Sequence, residues 1–237
     1  MPTPRIRPSG RGRTDGPALS AAAILDAALE VAEREGPGAL TVRRLGLELG
    51  VDPTAFYRHF RDKDELVLAL GDRIIAMTLE KIEPVDDWRA TLRSIAGAAY
   101  AMNRRYPAIA SVTFARVTGG VAEREIVEML LSTIARAGLP PAETVLYYRA
   151  IADATLSLTG QAAAFENLEP SLRAKDEAAW SQIYGALPEA DYPAIRAHAR
   201  ELAEVRETQV FDAVITAVID AIDARAAAYR AGGDEHD

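Results

Sequence analysis

The chain has no cysteine, which excludes a disulfide framework, a cysteine-ligated zinc site and a thiolate nucleophile. It has only three histidines, His59, His198 and His236. A helical di-iron site needs Glu-x-x-His motifs on facing helices, and the nearest match is the reversed pair His198 and Glu201, which occurs once. A phosphate-binding P-loop is also missing. We therefore expect no catalytic site, no metal and no cofactor.

Long apolar runs are missing as well. No stretch approaches the about eighteen uninterrupted apolar residues of a membrane span, and the opening MPTPRIRPSGRGRTDGP lacks the apolar core of a signal peptide. We expect a cytoplasmic protein with no membrane partner. No segment alternates with the period of a β-strand. Because 49% of the 237 residues are hydrophobic, the chain can bury a sizeable core, and the predicted fold class is all-α.

Positive charge is scarce overall but is unevenly placed. The net charge is −8, yet the first 65 residues carry ten basic and ten acidic side chains, so the negative excess lies in the remainder. Residues 38–63 hold five basic side chains against three acidic ones. This distribution allows a local positive surface near the N-terminus, while an acidic remainder discourages non-specific adhesion to nucleic acid.

The stretch from Thr41 to Lys63, TVRRLGLELGVDPTAFYRHFRDK, predicts two short helices joined by a tight turn. Apolar residues recur at helical spacing in its first half, and Thr41 can cap that helix. Gly50 follows, where a left-handed turn residue is needed. Asp52 can cap the second helix with Pro53 at its first position. This pattern is typical of a helix-turn-helix motif whose second helix, residues 53–60, enters a DNA groove.

The second helix has two different faces. Phe56 and Phe60, four residues apart, are expected to face the first helix, and Gly46 is expected to allow the two helices to approach closely. The outward residues are polar, basic or aromatic: Thr54, Tyr57, Arg58, His59, Arg61 and Lys63. Arginine is the commonest base reader, and the other types suit phosphates and sugars. The alternative is an ordinary helix pair with a solvated polar face.

With its flanks, the motif reads AAAILDAALEVAEREGPGALTVRRLGLELGVDPTAFYRHFRDKDELVLAL and resembles the N-terminal domain of the TetR (tetracycline repressor) family of transcriptional regulators. The resemblance implies an all-helical homodimer that binds a palindromic operator and is released by a small molecule bound in a C-terminal domain. It implies DNA contacts at seven matching positions, to which we add Pro53. The predicted DNA-binding residues are Thr41, Arg43, Pro53, Thr54, Tyr57, Arg58, His59 and Lys63.

Four segments follow from this pattern. We expect a disordered basic arm at residues 1–18, a helix-turn-helix domain at 19–66, a helical effector-binding and dimerisation domain at 67–230 and a disordered tail at 231–237. The arm is either a solubilising tail or a basic segment that lies along the operator and enters the minor groove. A helix beginning at Lys63 or Asp64 links the two domains without a Gly/Pro linker and is the expected mechanical connection.

Two long helices near the C-terminus carry broad apolar stripes. The last one is predicted to run without interruption over 193–228, and the other over 142–165. We expect two copies of each to form a four-helix dimer interface; the alternative is that both stripes form the core of a single chain. The interface residues predicted from these stripes are Ile151, Leu158, Phe211, Val214, Val218 and Ile222.

Aromatic and methionine side chains cluster in the second domain, where a few polar residues interrupt apolar helices. An apolar cavity with convergent polar groups is what a small-molecule site requires. We expect it between the helices at 64–82, 87–105 and 142–165. The predicted lining residues are Met77, Trp88, Tyr100, Met102, Phe114, Tyr147, Asp153 and Gln161. The chain is thus predicted to be a ligand-responsive repressor. The alternatives are a helix-turn-helix DNA-binding protein without an effector and an all-α enzyme.

Overall fold

Eleven α-helices and three short 3₁₀ helices make up the part of the chain that the computed structural model describes, residues 19–83 and 85–233. Within those residues there is no β-strand, so the predicted all-α class is confirmed. The predicted basic arm, Pro84 and residues 234–237 lie outside the described residues. The α-helices are α1 Ala21–Glu35, α2 Val42–Leu49, α3 Lys63–Leu79, α4 Trp88–Arg105, α5 Pro107–Thr113, α6 Val121–Ala135, α7 Pro141–Glu166, α8 Pro170–Gln182, α9 Pro193–Ala197, α10 Ala199–Glu204 and α11 Glu207–Gly233. The 3₁₀ helices are Pro37–Ala39, Pro53–Arg58 and Tyr184–Ala186.

Local chemistry sets most helix starts. Ser20 accepts a hydrogen bond from the backbone N–H of Ala23 at 3.1 Å and begins α1. Asp62 does the same for α3, and Asp87 for α4. Helices α5, α7, α8 and α9 have proline in the first turn, where the missing N–H would have no partner in any case.

The N-terminal core is built from α1, α2, the 3₁₀ helix Pro53–Arg58 and α3. Its centre is fully buried and includes Ile24, Leu45 and Leu70. Ile109 of α5 also belongs to this core, so the N-terminal helices rest on a part of the following domain. Helix α3 runs unbroken from the N-terminal core into that domain, with no linker between them.

The second core lies between α4, α6, α7 and α11. Leu92, Ile134, Ile151 and Ile219 are each at most 1% exposed. Their helices therefore form one packed unit, and α4 and α3 join it to the N-terminal core. No helix among the described residues has the length and apolar character needed to cross a membrane.

Half of the predicted dimer-interface residues lie in the core of a single chain. Ile151, Phe211 and Ile222 are at most 5% exposed, and Leu158 and Val218 pack against the same cluster. Val214, also predicted at the interface, is half-buried. The reason is that α11 lies on α7 and α4 of its own chain, which covers the apolar stripe that we assigned to a partner.

The last helix is shorter than predicted. The segment at 193–206 breaks at His198 and again at Val205, whose backbone is extended, so α9 and α10 precede α11. None of the residues in α9 and α10 is buried, so little burial is available to offset the entropy of a continuous helix there. At its other end, α11 continues to Gly233, past the expected start of the tail at residue 231.

Candidate functional site

The predicted caps of the helix-turn-helix motif are confirmed. The Thr41 hydroxyl accepts from the backbone N–H of Arg44 at 3.1 Å, and Gly50 ends α2 in the left-handed region at φ 64°. The Asp52 carboxylate accepts from the backbone N–H of Thr54 at 2.8 Å and from its hydroxyl at 2.6 Å. The turn between α2 and the next element is therefore held by its own short-range hydrogen bonds.

Gly46 marks the point of closest approach between the two elements. A Cβ atom at this position would lie 3.1 Å from the Val51 carbonyl oxygen and 3.3 Å from Cγ of Pro53. A mid-helix glycine costs about 1 kcal/mol relative to alanine. The close packing of Pro53 on Gly46 offsets this cost, as the sequence suggested.

The element after the turn is a 3₁₀ helix, Pro53–Arg58, and not the α-helix predicted at 53–60. The backbone N–H of Ala55 donates to Asp52 and that of His59 donates to Phe56, both with three-residue spacing. In so short a segment the tighter winding sacrifices few α-helical hydrogen bonds. Phe60 follows the helix and is buried.

The predicted DNA-binding residues lie on the surface of this motif. Phe56 and Phe60 are buried with their ring centroids 5.3 Å apart, and this anchors the element against α1 and α2. The opposite face is open, and Tyr57 is 58% exposed. His59 is half-buried. The exposed members of the predicted set are Thr41, Arg43, Pro53, Thr54, Tyr57, Arg58 and Lys63.

An ion-pair network that the sequence analysis missed joins α1 to α2. Arg44 donates to Glu35 at 2.6 Å and to Glu48 at 2.7 Å, and Arg34 donates to both carboxylates. The four-residue spacing of Arg44 and Glu48 was the available signal. Arg44 is held in this network, whereas Arg43 has no ion pair among residues 19–83 and 85–233.

Acid should weaken this network. Hydrogen bonds from Arg44 lower the pKa of Glu35 from 4.5 to about 2. A depressed folded-state pKa contributes stability that is present above about pH 4.5 and is lost as the pH falls toward about 2. We expect Glu35→Gln to lose less stability than the parent between about pH 5 and about pH 2 in urea titrations. Arg44→Met, which removes the partner, should flatten the profile similarly. A Glu35→Gln profile parallel to the parent would contradict the assignment.

A cavity of about 130 Å³ lies between α3, α4, α6, α7 and residues 113–118. These include the three helices expected to enclose it. Most of its wall is apolar, as in Ile74, Leu92 and Leu130, with Asn103 and Thr155 among its polar members.

The residues lining the cavity differ from the predicted set. Of the eight, only Phe114 lines it. Met77 and Met102 pack against the N-terminal core, while Trp88, Tyr100 and Tyr147 belong to or pack against the second core. Asp153 pairs with Arg149 on the exposed side of α7, and Gln161 is exposed. The large side chains fill cores, and the cavity lies where the packing is left open.

Two sets of hydrogen bonds join α3 to other elements around the cavity. Arg116 donates to the Asp64 carboxylate at 2.9 and 3.0 Å, in the first turn of α3. Asp72, farther along α3, accepts from the backbone N–H groups of Ala122 at 3.4 Å and Glu123 at 2.9 Å. Helix α6 has no side-chain cap of its own, so Asp72 caps it from another helix.

Comparison with known proteins identifies the family. The model described as "Bacterial regulatory proteins, tetR family" matches residues 24–70. The model described as "Tetracyclin repressor-like, C-terminal domain" matches residues 82–226, which is more than half of the chain. The chain belongs to the TetR family. This agrees with the resemblance carried by the helix-turn-helix motif.

Curated TetR-family relatives match part of their own length. The HTH-type transcriptional repressor DrrR1 of Streptomyces coeruleorubidus is 31% identical over 140 residues, covering 59% of this chain and 51% of the relative. The class C tetracycline repressor protein of Escherichia coli is 36% identical over 77 residues, covering 32% and 35%. The chain therefore matches about half, or less, of these proteins.

Solved structures show the same TetR fold over nearly the whole chain. Apo ActR from Streptomyces coelicolor has a TM-score of 0.77 at 18% identity, covering 90% of this chain and 98% of ActR. ActR in complex with actinorhodin has a TM-score of 0.76 at 19% identity, with coverage of 87% and 96%. A TetR transcriptional regulator from Streptomyces coelicolor has 0.71 at 25% identity, with coverage of 87% and 99%.

Proposed function

We propose that this TetR-family protein is a DNA-binding transcriptional repressor, working in the cytoplasm, whose operator affinity falls when a small apolar or aromatic compound occupies the cavity. DNA binding is supported by the 3₁₀ helix Pro53–Arg58, which has one buried and one exposed face. Phe56 anchors the buried face, and Tyr57 and Arg58 are exposed. DrrR1, one of its relatives, is a transcriptional repressor by name, which supports the repressor assignment.

The exposed residues divide into two roles. Arg58, on the reading element, is the candidate for two hydrogen bonds to a guanine in the major groove. Lys63, at the first turn of α3, and Thr41 and Arg43, at the start of α2, suit phosphates. Tyr57 and the other predicted DNA-binding residues contact the sugar-phosphate backbone and so fix the position of the element along the DNA.

Selection of bound fragments from random DNA tests this assignment. Arg58→Ala should reduce base preference at one operator position by about 1–3 kcal/mol. Lys63→Ala should weaken binding evenly across sequences and lower the salt slope by about one unit. Failure to recover any preferred sequence would reject operator binding. Unchanged preference in Arg58→Ala would show that another residue reads the bases.

We infer that two copies bind one symmetric operator, because one reading element covers only a half-site and two-fold dimers place two of them about 34 Å apart. The buried stripes of α7 and α11 are not available for pairing. The outer faces of these helices are, and they carry Val145 and Leu146 together with alanines such as Ala217 and Ala221. A palindromic selected site would support the dimer, and a single half-site would count against it.

The link from the cavity to the reading element runs through α3. A compound that enlarges the cavity pushes on the wall at 113–118, which is bonded to α3 through Arg116 and Asp64. Because α3 begins at Lys63 beside the reading element, a shift of α3 changes how the motif meets DNA. The cavity favours this function over a helix-turn-helix protein without an effector. ActR, which has the same fold, binds actinorhodin.

The Asp72 cap is open to a double-mutant test. A Cβ on Gly120 would lie 2.1 to 2.3 Å from the Asp72 carboxylate, while φ −74° suits alanine, so Gly120→Ala should push Asp72 off the start of α6. Gly120→Ala and Asp72→Ala should each cost about 1 kcal/mol of unfolding free energy.

Because both variants remove the same cap, their effects should not add in the double variant. The matched control is Asp153→Ala, which removes an exposed carboxylate on α7 and should add independently to Gly120→Ala. Full additivity of Gly120→Ala with Asp72→Ala in urea unfolding would reject the cap as the shared cause.

A further inference from the structure

Three polar side chains of the cavity wall have a hydrogen-bonding atom without a partner among residues 19–83 and 85–233. Asn103 donates its amide Nδ2 to Thr159 at 3.3 Å, which leaves its carbonyl Oδ1 unpaired. The hydroxyls of Tyr148 and Thr155 have no hydrogen bond in this part of the chain. Burial raises the pKa of Tyr148, so its hydroxyl keeps its proton and remains a donor.

Thr155 is the most telling of the three. Two other buried threonines near the cavity donate their hydroxyl to the carbonyl one helical turn earlier: Thr78 to Ile74 at 2.9 Å and Thr159 to Thr155 at 2.8 Å. Thr155 does not, although it is only 6% exposed. No sealed side-chain oxygen or nitrogen in the described residues lacks a partner. The Thr155 hydroxyl is therefore reachable by a molecule in the cavity.

The two charged residues of the wall are both held by hydrogen bonds. Arg116 is neutralised by Asp64. Glu123 accepts from the Thr118 hydroxyl at 3.0 Å and from the backbone N–H of Gly119. A charged ligand would lose its hydration in a mostly apolar cavity, which disfavours both anions and cations. An anion would meet an Arg116 that is already paired, and a cation would meet only Glu123, whose Oε2 already accepts two hydrogen bonds.

The size of the cavity limits what fits without rearrangement. It measures about 130 Å³, and an engineered apolar cavity of about 150 Å³ in another protein takes up benzene. One six-membered ring is therefore the unit that the cavity accepts as it stands. A larger compound has to displace its wall.

We propose that the cavity selects a neutral ring compound bearing a hydroxyl or carbonyl oxygen, recognised by Thr155, Tyr148 and Asn103. This deepens the proposed function, since it rests on the cavity being the effector site. The apolar walls hold the ring, and the unpaired hydroxyls and amide carbonyl hold the oxygen.

Four probes of matched size test the proposal by calorimetric titration of the intact protein: toluene, benzyl alcohol, benzoate and benzylammonium. Benzyl alcohol should bind tightest. Toluene, which cannot form the hydrogen bond, should bind roughly three- to tenfold more weakly, and the two ions more weakly than toluene. Tightest binding by either ion overturns the proposal, and so does the absence of binding by all four.

Variants of matched shape identify which side chain forms a hydrogen bond with the oxygen of the ligand. Thr155→Val and Tyr148→Phe keep the shape and remove one hydroxyl, so at least one of them should bring benzyl alcohol close to the affinity of toluene without changing toluene itself. Tyr147→Phe is the control, because Tyr147 packs against the second core and does not line the cavity. If neither variant reduces the difference in affinity between benzyl alcohol and toluene, the proposal is wrong. Selection from random DNA tests operator binding separately, so failure there leaves the probe series as an independent result.

Discussion

Phe56→Ala should unfold the DNA-reading half of the molecule, whereas Tyr57→Ala, one residue later, should leave the fold intact and impair only DNA binding. Phe56 is 3% exposed and belongs to the N-terminal core, with Phe60 and Leu45 in the same cluster. Truncating a buried phenylalanine to alanine costs about 3–5 kcal/mol, through lost burial and the cavity left behind. Tyr57 is 58% exposed, so its removal should change unfolding free energy by only about 0.5 kcal/mol.

The stability of the two variants is compared by urea unfolding, and their operator affinity by titration with the selected DNA. Phe56→Ala should lower the midpoint strongly and lose operator binding with it. Tyr57→Ala should keep the parental midpoint while its operator affinity falls. Equal midpoints for the two variants would mean that the reading element is not anchored through Phe56.

Gly160→Ala should destabilise the protein even though alanine is the better helix former. Gly160 lies within α7, where α5 packs closely against it. A Cβ there would lie 2.3 Å from Cγ of Phe114 and 2.7 Å from its Cβ. Because the root of the Phe114 side chain is involved, a change of rotamer cannot relieve the overlap, and the backbone must shift. Overpacking of this kind costs about 1–3 kcal/mol.

Gly97→Ala is the matched control. Gly97 lies within α4, is exposed, and a Cβ there would meet nothing within 4 Å. Its replacement should stabilise by about 0.5–1 kcal/mol through helix propensity alone. The two variants should therefore separate by about 2–4 kcal/mol in urea unfolding. A Gly160→Ala protein as stable as Gly97→Ala would contradict the close contact. Because Phe114 lines the cavity, Gly160→Ala should also alter binding of the ring probes.

The helix-turn-helix motif was predictable from sequence because its determinants are local. Thr41, Gly50 and Asp52 act on neighbours within a few residues, and the structure places each cap as predicted. The choice of a 3₁₀ helix at Pro53–Arg58 was not predictable, because the two windings share the same caps and the same buried phenylalanines.

The second domain was harder because its determinants are distant. An apolar stripe shows that something covers it, but the stripe on α11 does not reveal whether α7 of the same chain or a partner does so. The Asp72 cap joins residues 51 positions apart and leaves no local pattern. The cavity was sought among aromatic residues, yet much of its wall is small: Gly71, Ala96, Ala99 and Ala152. Small side chains that leave space unfilled mark the cavity, whereas large aromatic side chains do not.

The two tryptophans of the protein, one of them in the segment from α8 to α10, are optical reporters that respond to different events. Residues 170–204 contain no buried side chain, and Trp180 there is 45% exposed and stacks on Tyr184 at 5.0 Å. The other tryptophan, Trp88, is 8% exposed in the second core. Acrylamide should therefore quench Trp180 emission in the native protein and reach Trp88 only after global unfolding. Fluorescence can thus separate loosening of this outer segment from loss of the core without any introduced label.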